Sequence, residues 1–121
     1  MIRILALVTS GTVSYVPAPC RGCVSGAKAV WQTSAVTAND TVIVSRATLA
    51  VNTVTAVSGD GLVVETGVPN ETSNYKGLVF DPASTTATEQ VMKVTVSAGG
   101  ACLVLIEFDN FAVITQAASE A

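Results

Sequence analysis

The sequence predicts an all-β domain, an antiparallel β-sandwich of the jelly-roll or Ig-like kind, over residues 1–121 as one unit. Three observations predict it. Val, Ile and Thr, whose branched Cβ atoms suit a pleated surface, make up about a third of the chain. Short apolar runs recur at regular spacing with Gly, Pro, Asn and Asp between them. No apolar stripe at helical spacing persists over 11 residues, as roughly three helical turns would require.

Taken in order, the first run, Ile2–Thr9, is short and apolar with one early cation. It ends at Thr9-Ser10-Gly11, short of the roughly 7–15 residues of a signal-peptide core, so it is read as a first strand. Further strands are expected at Thr12–Val16, Ala27–Gln32, Thr41–Arg46, Leu49–Val57, Leu62–Thr66, Gly77–Phe80, Gln90–Ser97, Ala101–Phe108 and Ala112–Thr115. Alternation places Val42 and Val44 on one face of their strand, and Met92, Val94 and Val96 on one face of theirs. Cys102, Val104, Ile106 and Phe108 share an inward face, with Leu103, Leu105 and Glu107 opposite. Both faces are largely apolar, which predicts a central strand. Ser58-Gly59-Asp60-Gly61 and Gly99-Gly100 are expected to close hairpins. Pro17, Pro19, Pro69 and Pro82 are expected in loops, where a missing N–H breaks no ladder. Ser25–Gln32 and Ser84–Gln90 could each form a helical turn or two. The loops Thr66–Lys76 and Asp81–Glu89 are long enough to be contact loops.

Composition narrows the chemistry. The chain has no His, which removes the usual general base, the commonest zinc ligand and the Ser-His-Asp triad. Its six cations, Arg3, Arg21, Lys28, Arg46, Lys76 and Lys93, are dispersed and the net charge is −3. Nucleic-acid binding, which needs clustered cations, is not expected. No run approaches the ~18 apolar residues of a membrane span, so no membrane partner is expected.

Cys20-Arg-Gly-Cys23 is the one local motif with a chemical reading. Two thiols in a tight loop, with Cys102 buried and reduced in the core, is the expected reading. A local disulfide, half of a shared zinc site and a redox pair remain as alternatives. Ser25 and Lys28 have bare Ser-x-x-Lys spacing without the other signatures of that chemistry. Glu107, Asp109 and Asn110 could offer oxygen ligands to Ca²⁺, although acidic residues at strand ends are ordinary turn formers. Trp31, Tyr15 and Tyr75 would form a sugar-stacking platform only if all were exposed, and a lone Trp is more often core. The sequons at Asn39 and Asn70 matter only in a secretory setting. No catalytic, cofactor-binding or metal-binding residue is therefore assigned, and no enzymatic activity is expected.

Hydrophobic residues make up 50% and charged residues 12% of the chain, with a mean hydropathy of +0.55. A small domain cannot bury that much apolar surface alone, so a subunit of a larger assembly is expected. The Ala/Val/Thr/Gly bias, the low charge, and Gly77-Leu-Val-Phe-Asp-Pro followed by Val91–Phe108 resemble small bacteriophage virion proteins, the capsid decoration or cement group above all. The resemblance implies a structural homo-oligomer, often a trimer, on the capsid surface, clamping a major capsid or other virion protein. Contacts are then expected from the N-terminal strand, the two long loops and the tail at residues 116–121. The alternatives are a secreted or surface-displayed adhesive or carbohydrate-binding β-sandwich module, and a β-rich enzyme subunit with a composite site.

Overall fold

Period-two burial builds the strands of this protein. In the computed structural model, which describes residues 1–9, 11–33, 40–57, 62–70, 78–97 and 100–110, nine strands and one helical turn form. They are β1 (Ile2–Val8), β2 (Val13–Pro17), β3 (Gly22–Trp31), β4 (Thr41–Arg46), β5 (Leu49–Thr55), β6 (Glu65–Thr66), β7 (Val68–Pro69), α1 (Ala87–Gln90), β8 (Val91–Val96) and β9 (Cys102–Asn110). One sheet has the order β1-β9-β3-β6 and the other β2-β8-β4-β5-β7, with every pairing antiparallel.

The pairing has a simple logic. β4 turns into β5 through Ala47-Thr48, with Ala47 at φ 53°. Working outward from that turn, β3 pairs with β6, β2 with β8, and β1 with β9. The two halves of the chain thus form one long antiparallel ribbon. Rolling the ribbon brings β3 against β9 and β4 against β8, and these pairings complete the two sheets. That strand order is the jelly-roll arrangement, with β7 as a two-residue addition beside β5. Of the two sandwich kinds expected, the chain takes the jelly roll.

The inward faces supply the core. Val42, Val44, Met92, Val94 and Val96 from one sheet meet Cys102, Val104, Ile106, Phe108, Ala27, Ala29 and Trp31 from the other, all buried. Trp31 is fully buried, opposite Cys102 in register. The rings of Phe80 and Phe108 meet at 6.4 Å between centroids, tilted by 57°.

Several expectations are corrected. β8 and β9 lie in different sheets, so Gly99-Gly100 closes no hairpin. Gly100, at φ 86°, belongs to a connection that crosses the sandwich. β5 and β6 also lie in different sheets, so Ser58–Gly61, which falls outside the described residues, joins no hairpin either. Ser25–Gln32 is not helical, because β3 extends through it to Trp31. Ser84–Gln90 does hold one turn, α1. The expected strand Gly77–Phe80 reduces to a single bridge from Phe80 to Gly22, with Gly77 outside the described residues. Pro17 and Pro69 sit in strands β2 and β7, which are the two edges of the five-stranded sheet, where no ladder needs their N–H. The expected strand Ala112–Thr115 and the tail at 116–121 fall outside the described residues.

Candidate functional site

The polar groups singled out by sequence are dispersed. Cys20 is half-buried, Cys23 lies buried in the first turn of the ladder of β3, and Cys102 is buried in the core. All three are free thiols. Burial, and then the charge of Asp109, pushes the Cys23 thiol up to about 11. Burial pushes Cys102 up to about 11, and Cys20 upward too. Burial thus favours the protonated form of all three thiols. Among the described residues no three His, Cys, Asp or Glu side chains gather where they could hold a metal ion.

The remaining candidates separate as well. Ser25 sits at the bulge of β3 and donates to the Glu107 carbonyl oxygen at 3.2 Å. Lys28, three residues on, lies opposite Leu105. Glu107 lies opposite Arg3, 3.9 Å from its guanidinium, whereas Asp109 lies opposite Cys23. Trp31 is wholly buried while Tyr15 is 63% exposed, and Tyr75 falls outside the described residues. The stacking platform therefore lacks its largest ring.

The loop Asp81–Glu89 is tightly organised. Asp81 Oδ1 accepts from the Ala83 N–H at 2.9 Å, and Ser84 Oγ donates to Glu89 Oε1 at 2.9 Å. Gln90 Nε2 donates to the Ser84 carbonyl at 2.6 Å. Residues 71–76 of the other long loop fall outside the described residues; its first part instead forms β6, Gly67 and β7.

A coherent surface feature emerges on the outer face of the four-stranded sheet. Register places Leu7, Leu103 and Val30 in one row across β1, β9 and β3, and Leu5, Leu105 and Lys28 in the next. Arg3, Glu107 and Gly26 close the lower end. Leu5 and Leu7 are each 66% exposed. Leu5, Val30, Val64, Leu103 and Leu105 line a shallow groove of about 180 Å³ with Lys28 at its margin. β9 is central, as expected, but its second apolar face is not buried: Leu103 remains 38% exposed. The sequence does contain this signal, in the alternation of Leu5 and Leu7 with Ile4 and Ala6. Assigning it to a surface needs the register.

Aliphatic rows of this kind offer dispersion and desolvation, and the charges on this face, Lys28, Arg3 and Glu107, lie beside them. Among the described residues no helix is long and apolar enough to cross a membrane. Comparison with protein-family models, with curated proteins and with solved structures finds no match for this chain.

Proposed function

We propose that this protein is a non-enzymatic structural subunit, a capsid decoration or cement protein that docks onto a virion protein lattice. The observation that carries the reading is the outward aliphatic face formed by Leu5, Leu7, Leu103, Leu105 and Val30. On an isolated domain such a face meets water at a cost of about 25 cal/mol per Å², and a partner surface removes that cost. The jelly roll is an architecture that capsid proteins use, although it also serves lectins and enzymes, so the face rather than the fold supports the proposal. The thin and dispersed charge agrees with docking through apolar and hydrogen-bonded contacts to protein rather than to nucleic acid.

The test is direct. Purified virions of the source, probed by mass spectrometry, should contain the chain, and recombinant protein should bind particles that lack it. Leu103→Lys should abolish that binding. Absence from particles together with saturable binding in a glycan screen would replace this reading with the adhesive module. Turnover on a hydrolase or redox panel, abolished by one point mutation, would overturn the non-enzymatic part.

A further inference from the structure

The four-stranded sheet ends at β1, and this edge differs from the other three. β6 and β7 offer two residues each, and β2 offers five residues ending in Pro17. β1 offers seven, Ile-Arg-Ile-Leu-Ala-Leu-Val, without Pro or Lys and, among the described residues, paired on one side only. Its single charge, Arg3, already faces Glu107 of its own chain. Natural proteins guard such an edge or cover it, because its free N–H and C=O groups invite another strand. Burial points the same way. The partly buried apolar residues packed against the core are Ile2, Ile4, Ala6, Val16 and Cys20, all on β1, on β2 or just after β2. Among the described residues the sandwich is thus open along one flank, whereas Ile106 and Val104, the neighbours of Ile4 and Ala6 on β9, are fully buried.

We infer that β1 pairs edge to edge with β1 of a second copy, antiparallel and two-fold about Leu5, joining two four-stranded sheets into one. A β-edge selects a strand as its occupant, and the sequence of β1 is complementary to itself. In this register Leu5 meets Leu5, Arg3 meets Leu7, Ile4 meets Ala6 and Ile2 meets Val8. No like charges meet, and large inward side chains face smaller ones. Outward residues stay outward across the two-fold, so the aliphatic rows of both copies become continuous. The contact goes beyond the proposed lattice docking and does not depend on it. It is isologous and closes at two copies, where the resemblance to decoration proteins implies three.

The experiment uses the full chain. Sedimentation at micromolar concentration should give a dimer. Leu5→Lys, at an exposed position, should keep the circular dichroism of the parent and raise the dimer dissociation constant by ~100-fold or more. Mixing the Leu5→Lys chain with the Leu5→Glu chain should restore the dimer, because residue 5 meets itself. Leu5→Cys should form an intermolecular disulfide on mild oxidation, since opposed Cα atoms in either ladder phase lie about 4.5–5.5 Å apart. Leu7→Cys should link to Arg3→Cys and not to itself. A stable monomer, a trimer, or a dimer indifferent to Leu5→Lys would overturn the pairing. A wild-type monomer that still binds particles would overturn it and spare the docking reading. A dimer absent from every particle would do the reverse.

Discussion

Cys102 shows how one buried side chain sets a measurable property. Its sulfur lies on the inward face of β9, fully buried, within 3.9 Å of the Leu103 carbonyl oxygen. Removing its proton would place an anion in the core, which is why its pKa rises from 9.0 to about 11. The folded chain therefore holds a proton that the unfolded chain releases. Stability from this group is complete below about pH 9 and falls as pH rises from 9.0 to about 11. Across that window the native chain should lose roughly 2–3 kcal/mol more than Cys102→Ala, measured by urea unfolding. Native-state labelling of Cys102 should be slow and should accelerate on unfolding. Phe108, six residues further along the same inward face and packed on Phe80, tests the same core by volume. Phe108→Ala should cost roughly 3–5 kcal/mol in chemical denaturation. A loss below about one would mean that the ring contributes little to the core.

At the scale of elements, the passage between sheets depends on Gly67. This residue lies between β6 in one sheet and β7 in the other, and its N–H donates to the Ala27 carbonyl oxygen at 2.7 Å. The buried side chain of Asn52 fills the space where a Cβ would stand, and the Ala27 carbonyl oxygen would be 2.9 Å away. Gly67→Ala should therefore shift the backbone and destabilise by roughly 1–3 kcal/mol, while far-UV circular dichroism stays all-β. A neutral result would show that the crossing adapts without strain. The element scale is also where local sequence signals mislead. Gly99-Gly100 and Ser58–Gly61 carry the chemistry of tight turns, yet the strands that flank each of them join opposite sheets. Glycine permits a reversal but does not choose the partner of the strand that follows it. Asp81–Glu89 illustrates the converse: Asp81 and Ser84 side chains accept from the local backbone N–H groups of Ala83 and Thr86, Ser84 in turn donates to Glu89, and the long loop becomes an ordered turn.

At the scale of the molecule, the two faces of the four-stranded sheet have separate roles. Ile106 and Val104 hold the sandwich together, while Leu103 and Leu105 face outward beside Leu5 and Leu7. Leu103→Lys should accordingly change unfolding stability by no more than about 0.5 kcal/mol, whereas Ile106→Ala should cost roughly 2–5 kcal/mol. Comparable losses from both, read from denaturant midpoints, would remove the distinction between surface and core. Association through the aliphatic rows should weaken little as salt is raised, because few charges take part and screening acts on charges alone. A steep decline with ionic strength, followed by light scattering, would point to an electrostatic interface instead.

The sequence by itself determined that this chain is built of strands, and which residues of several strands face inward. Val42, Val44, Met92, Val94, Val96, Cys102, Val104, Ile106 and Phe108 are readable because side-chain direction alternates every residue and the alternation is local. The absence of His, and with it much of the catalytic repertoire, is likewise a matter of composition. The tertiary structure alone decided that β8 and β9 part company, that β1 closes onto β9, and that the second apolar face of β9 looks outward. Strand pairing joins residues as distant as Ile2 and Phe108, and no window of neighbouring residues carries that choice. An alternation of leucine and isoleucine reports two apolar faces, but which of them meets solvent depends on what packs across the sheet. That is why the candidate site became visible only when Leu5, Leu7, Leu103 and Leu105 came together in register.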